Sequence, residues 1–273
     1  MGEFAIDPAG ARLSGDDEGE GTPVVLLHGL TASRRYVVMG SKHLERSGHR
    51  VVAYDARGHG RSSPGDGYAY EHLVGDLCAV LDAAKIDRAV LAGASMGAHT
   101  ILRLALEHPE RVLGLVVITP AHDPADFRDT TRLARWDALA DGLARGGIDG
   151  FVAAYRVADL PSRWRETAEK VLRQRLAAHE HLGAVADALR AVPRSAPFAE
   201  LADLEAIRAP STVVGSRDEA DPGHPFALAQ AYARALPGAV FRSEEEGSSP
   251  LAWQGGRLSK VIAEVATRAA RRV

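Results

Sequence analysis

A serine set between glycines, Gly93-Ala94-Ser95-Met96-Gly97, is the first place in this chain where residue types and spacing suggest chemistry. The glycines let a strand and the helix after it come close while the serine holds a strained turn conformation. Its Oγ then stands at a helix N-terminus, where the helix dipole and the free N–H of Met96 favour a developing oxyanion. Small residues also cluster in turns by chance, so the flanks decide. Ala89-Val90-Leu91-Ala92 reads as a short buried strand, and Thr100, Ile101, Leu104 and Ala105 fall at helical spacing. The chemistry that follows is nucleophilic attack by Ser95 on an acyl carbon, which needs a base and oxyanion donors nearby.

Those groups must be carried by surrounding elements. Pro23–Leu27 and Arg50–Tyr54 are continuous apolar runs, as expected of strands buried on both faces of a parallel sheet. Leu73, Leu77, Val80 and Leu81 predict a crossover helix over His72–Ala84, ahead of the serine strand. Further strands are predicted at Arg111–Ile118, Ser211–Gly215 and Gly238–Arg242, with helices at Pro225–Leu236 and around Leu258–Val265. The alternation makes an α/β doubly wound parallel sheet. Phe4–Gly21 reads as an edge hairpin or loop. From Pro124 to Ala209 apolar residues recur at helical spacing, interrupted by Gly146-Gly147, Pro161 and Pro193. Trp136, Phe151, Tyr155 and Trp164 lie there as candidates for pocket lining, with ordinary helix packing the simpler role.

Composition narrows the partners. A chain of 273 residues with net charge −3 suits one α/β domain with an insertion and gives no reason to expect nucleic acid or an anionic membrane as partner. The single cysteine, Cys78, excludes an internal disulfide and reads as packing. No signal-type apolar run and no eighteen-residue apolar stretch appears, so a cytoplasmic location is expected. The expected partner is a small-molecule substrate or ligand, and a homodimer is compatible with the sequence.

Three motifs in order now carry a resemblance: the His28-Gly29 turn after one strand, Asp55-x-Arg57-Gly58-x-Gly60-x-Ser62 after the next, and the Ser95 elbow. Together they resemble the α/β-hydrolase superfamily over nearly the whole chain. The resemblance implies a mostly parallel eight-stranded sheet, with a core of residues 1–123 and 210–273 and a helical cap of residues 124–209. It implies an oxyanion hole from the N–H groups of Leu30 and Met96. The triad acid would follow Ser211–Gly215, at Asp218, with Asp221 as the alternative register. The general base would be a histidine after the last strand, yet Glu246-Gly247-Ser248-Ser249 places Ser248 there, and no histidine follows His224. A serine hydroxyl cannot hold a proton near pH 7.

Other histidines therefore compete for the task. His224 lies just beyond the predicted acid strand and is the foremost substitute, with a surface loop position as its plain alternative. His122-Asp123 follows the strand beside the serine strand, where it would supply a base, an acid or a substrate contact. His28 belongs to the oxyanion turn and is expected to make a structural hydrogen bond, and His99 to point into helix packing. His59 and Arg61 read as parts of a structured loop. His179-Glu180-His181 reads as a solvated helix face rather than half a metal site, and Glu244-Glu245-Glu246 as a solvated loop. Ser63 stands where a dinucleotide fingerprint wants glycine or alanine, so neither metal nor nucleotide cofactor is expected. Two functions remain. One is a serine-dependent hydrolase of small apolar ester, amide or C–C substrates with a displaced base; the other is a hydrolase-fold protein that has lost turnover and binds a ligand under its cap.

Overall fold

The computed structural model describes residues 2–246, 253 and 255–271. Eight strands form one sheet in the order β1-β2-β4-β3-β5-β6-β7-β8. They are β1 (Glu3–Ile6), β2 (Leu13–Glu18), β3 (Thr22–Leu27), β4 (His49–Tyr54), β5 (Ala89–Ala94), β6 (Val112–Ile118), β7 (Ser211–Gly215) and β8 (Val240–Ser243). The Phe4–Gly21 stretch is the antiparallel pair β1–β2, and β2 runs antiparallel to β4. Every pairing from β4 through β3 and onward to β8 is parallel.

The central strands are apolar without alternation because both faces are covered. On one face pack α2 (Tyr70–Ala83), α3 (Met96–Glu107) and α7 (Phe226–Ala235), burying Leu77, Ile101 and Leu228 against Val25, Leu91 and Val213. On the other lie α1 (His43–Arg46) and α8 (Gly256–Ala270), whose Leu44, Leu258 and Ile262 meet Val24, Val90 and Val116. Each such side chain contributes about 1.5–3 kcal/mol by leaving water, so the strand ends that carry loop residues are firmly anchored.

Between β6 and β7 the chain inserts α4 (Thr130–Tyr155), α5 (Arg165–Leu176) and α6 (Leu182–Ala191). Helix α4 is two helices joined at Gly147, whose φ of 56° and ψ of −143° only glycine adopts freely. The insertion has its own apolar cluster around Leu143, Phe151, Leu176, Val185 and Leu189, and Trp136 and Leu30 pack against it. A second cluster, with Ala184, Ala188 and Val192 against Tyr70, Leu73 and Met96, seats α6 on α2 and α3. Helix α5 is the element the apolar pattern does not reveal, because only Leu172 and Leu176 of its twelve residues are buried.

Candidate active site

The elbow is shaped by backbone contact. Ser95, between β5 and α3, has φ 49° and ψ −109°, outside the regions that residues with a Cβ favour. A Cβ on Gly93 would lie 2.3 Å from the Gly97 carbonyl, and one on Gly97 would lie 2.4 Å from the Leu27 carbonyl. Both positions therefore exclude a side chain. The Ser95 N–H donates to the Ile118 carbonyl at 2.9 Å, and the Ser95 carbonyl accepts the His99 N–H at 3.0 Å, so strand and helix hold the strained residue from both sides. Its hydroxyl makes no capping bond to the helix, and the half-buried serine keeps that oxygen for another partner.

The turn after β3 closes over the elbow. A Cβ on Gly29 would touch Ser95 Cβ at 3.3 Å, which brings the next residue, Leu30, beside Met96, the first residue of α3. His28 is fixed in one tautomer. Its Nε2 accepts the Ala56 N–H at 2.9 Å, so the proton sits on Nδ1 and is donated to the Gly29 carbonyl at 2.8 Å. Burial, aided by nearby positive charge and opposed by the Gly29 bond, lowers its pKa to about 3. His28 thus stays neutral and already committed, while the Gly29 carbonyl it holds shares a peptide plane with the Leu30 N–H.

The insertion clamps this turn from above. Thr31 has φ 67°, a strained value for a β-branched residue. Its carbonyl accepts His179 Nε2–H at 3.0 Å, and its Oγ1 accepts Arg175 Nη2 at 2.8 Å. The same nitrogen reaches the Leu30 carbonyl at 3.1 Å. His179 also accepts the Gly60 N–H on Nδ1 at 2.7 Å. The expectation of a solvated face at His179 is therefore corrected: the ring is buried, and burial lowers its pKa. His28, His59 and His179 lie in a row, with centroids 5.2 and 5.5 Å apart and the pairs tilted and edge-on, all held in the neutral range by burial.

Beyond β7 the two candidate carboxylates differ in their hydrogen bonds. Asp221 Oδ2 lies 2.7 Å from His224 Nδ1. Asp218 spends its Oδ1 on the Ala220 N–H at 2.8 Å, closing a local turn, and burial raises its pKa. The carboxylate that orients His224 is thus Asp221 and not Asp218. Burial disfavours charge on both members, but their mutual attraction outweighs it: the Asp221 pKa is lowered and that of His224 raised. Side-chain exposures of 42 % and 22 % leave the pair partly screened. Tyr155 of α4 lies near enough that burial, with the Asp221 charge, pushes its hydroxyl up to about 12.

Glu244, expected in a solvated loop, is buried and organises this region. Its Oε1 accepts from Ser216 Oγ at 2.8 Å and the Arg217 N–H at 2.5 Å, and its Oε2 from Trp253 Nε1 at 2.7 Å. Ser248 lies outside the described residues.

The remaining candidates have other neighbours. His122 is buried between Phe127 and Phe198, and burial lowers its pKa to about 4. Asp123 caps a local turn through Ala125 N–H at 2.9 Å and does not pair with His122. His99 Nε2 accepts the N–H groups of Ala121 and His122, each at 3.0 Å, which is packing and not catalysis. Among the described residues no cluster of three metal-ligating side chains occurs, and no helix is long and apolar enough to cross a membrane. A groove of about 280 Å³ between Arg88, Pro109 and Pro210 opens at the opposite end of the sheet, away from Ser95.

Comparison with known proteins agrees with this fold. The sequence profile of the alpha/beta hydrolase fold matches residues 22–145. A protein named "Putative carbamate hydrolase RutD" from Variovorax paradoxus is 32 % identical over 209 residues, 74 % of this chain and 75 % of that protein. Among solved structures, a thermophilic esterase from Thermogutta terrifontis superposes with a TM-score of 0.80 at 22 % identity, covering 98 % of this chain and 99 % of the esterase. The enol-lactonase from Burkholderia xenovorans LB400 gives 0.75 at 22 % identity, covering 97 % and 100 %. At such identities the two structures speak to fold alone.

Proposed function

This chain belongs to the α/β-hydrolase superfamily, and from that premise we propose that it is a serine-dependent hydrolase of small, largely apolar ester, amide or activated C–C substrates. Ser95 Oγ attacks the carbonyl carbon while His224 takes its proton, and Asp221 stabilises the imidazolium formed. The negative oxygen is held by the N–H groups of Leu30 and Met96. Collapse breaks the bond to the leaving group, which takes the proton back from His224. Water then adds to the acyl-enzyme by the same route. In this reading His224 does the work usually given to a histidine after β8, where Ser248 stands, and residues 124–209 act as a cap that excludes water and shapes the pocket with Trp136 and Tyr155.

The observation that carries the proposal is the strained backbone of Ser95 at a helix N-terminus, with the Gly29 turn against its Cβ. Strain at a serine held by glycines on both sides has no packing advantage and suits a nucleophile. The raised pKa of His224 fixes a pH dependence: reaction requires the unprotonated ring, so kcat/KM rises with pH through a value above the usual 6.5 of histidine. Labelling by a fluorophosphonate from pH 5 to 9 tests the assignment. The protein should label, Ser95→Ala should not, and His224→Gln should label at least about 10²-fold more slowly. Full labelling in His224→Gln with loss in His122→Ala would transfer the base to His122. A folded protein that never labels would support the ligand-binding function instead.

A further inference from the structure

Arg175 makes no ion pair with a described residue, its hydrogen bonds going to uncharged acceptors. It descends from α5, a helix whose other cations point outward; its neighbour Arg173, for example, pairs with Asp149 and Glu169. Arg175 instead spends Nη2 on two uncharged acceptors, the Leu30 carbonyl and Thr31 Oγ1. Its Nε is buried without a hydrogen-bond partner among the described residues. No described carboxylate lies within ion-pair distance, and Asp221, whose charge is felt there, is already bonded to His224. The side chain is half-buried, with its Nε shut from water, and guanidinium offers a planar fork suited to a carboxylate. Its position is as telling as its charge, since it touches the carbonyl of Leu30, the residue assigned to the oxyanion hole.

We infer that Arg175 is the anchor for a carboxylate carried by the substrate, within a few bonds of the scissile carbonyl. The substrate class is thereby an acidic acyl compound, such as a half-ester, a lactone acid or an oxo-acid, with an otherwise apolar body against the insertion. This rests on the hydrolase reading for the carbonyl's place, though not for the binding itself. The carboxylate offers acceptors to the guanidinium and offsets its charge, so binding energy is realised only when the anion is present.

Two measurements test it, and each fails separately. The first compares kcat/KM for 4-nitrophenyl hemisuccinate and its neutral counterpart 4-nitrophenyl butyrate. The hemisuccinate should be favoured by about 10-fold or more, mainly through KM, as the gain from a charge-assisted hydrogen bond predicts. In Arg175→Gln that ratio should fall to near one or below. Arg175→Lys, which keeps the charge and loses the fork, should retain an intermediate ratio and shows whether loss in Arg175→Gln comes from a disturbed turn. The second measures binding of monomethyl succinate and dimethyl succinate to Ser95→Ala protein by calorimetry. The anion should bind more tightly by a similar factor, and the double variant Ser95→Ala/Arg175→Gln should lose that preference. Hydrolysis of butyrate with no Arg175-dependent preference in either arm overturns the carboxylate anchor and leaves the hydrolase reading standing. Anion binding that depends on Arg175, with no turnover of either ester, keeps the anchor and overturns the hydrolase reading.

Discussion

The two halves of the site are built in opposite ways. The elbow side, from the Gly29 turn to Gly97, is backbone packed on backbone, with Gly93 against Gly97 and Gly97 against Leu27. The side carrying Asp221 and His224 is a loop held by side chains, Asp221 to His224 within it and Glu244 to Ser216 and Arg217 at its start. Backbone jamming leaves no alternative geometry, whereas side-chain tethers tolerate replacement. The difference teaches that the position of Ser95 is dictated by the fold, while the Asp221–His224 pair is free to vary in register and origin.

The sharpest way to break that contrast is Gly97→Ala. The added Cβ would sit 2.4 Å from the Leu27 carbonyl, and neither backbone can move without displacing β3 or α3. A loss of about 4 kcal/mol or more, or failure to fold, is expected from forced strain of this kind. Urea denaturation measures it; a loss under about 1 kcal/mol would show that the elbow is looser than its contacts imply.

On the tethered side the corresponding test concerns function and not folding. Asp221→Asn removes the carboxylate facing His224 Nδ1 and should lower kcat/KM by about 10² to 10⁴-fold. Asp218→Asn disturbs only the turn bond to Ala220 and should cost less than about 10-fold, in line with a single local hydrogen bond. Equal losses, or a larger one at Asp218, would restore the register in which Asp218 is the acid.

This contrast also explains what the chain disclosed before its structure. Strands β3 to β7 are runs of Val, Leu, Ile and Ala because both faces are buried, and the elbow is local enough to be read from five residues. Arg175 could not be found that way. Its hydrogen-bond partners lie 145 and 144 residues away, in a helix with too few apolar residues to show a period. His179 looked solvated for the same reason, since its partners are Gly60 and Thr31. Asp218 and Asp221 are three residues apart on one polar loop, and only the hydrogen bond to His224 separates them. Composition holds no signal for that choice, because it depends on how the loop folds back.

Two buried histidines offer a gentler probe. His28 and His122, with pKa values near 3 and 4, refuse a proton that the unfolded chain accepts below about 6.5. Their contribution is complete above that pH and declines as pH falls toward the folded values, at up to about 1.4 kcal/mol per pH unit for each ring. Urea midpoints at pH 7.5 and 5.5 should therefore differ, and His122→Asn, which cannot titrate, should flatten the slope by roughly one ring's share. An unchanged slope would mean that His122 accepts its proton in the folded protein.

The smallest expected effect addresses how far tethering tolerates change. Glu244→Gln keeps one acceptor oxygen but sets an NH2 group against a donor among Ser216, Arg217 and Trp253. About 1–2 kcal/mol of stability should be lost at pH 7 from the mismatched bond. Although burial opposes it, those donors hold the Glu244 carboxyl below its usual range. The stabilisation they give is present above about 4.5 and lost as pH falls through the lowered value, so the gap between the two proteins should narrow in acid. Fluorophosphonate labelling of Ser95 would then slow only a few-fold, because Asp221 and His224 keep their own bond when the loop beneath them loosens. A collapse of labelling as deep as that of Asp221→Asn would show the loop to be as rigidly determined as the elbow, and the contrast between the two halves would fail.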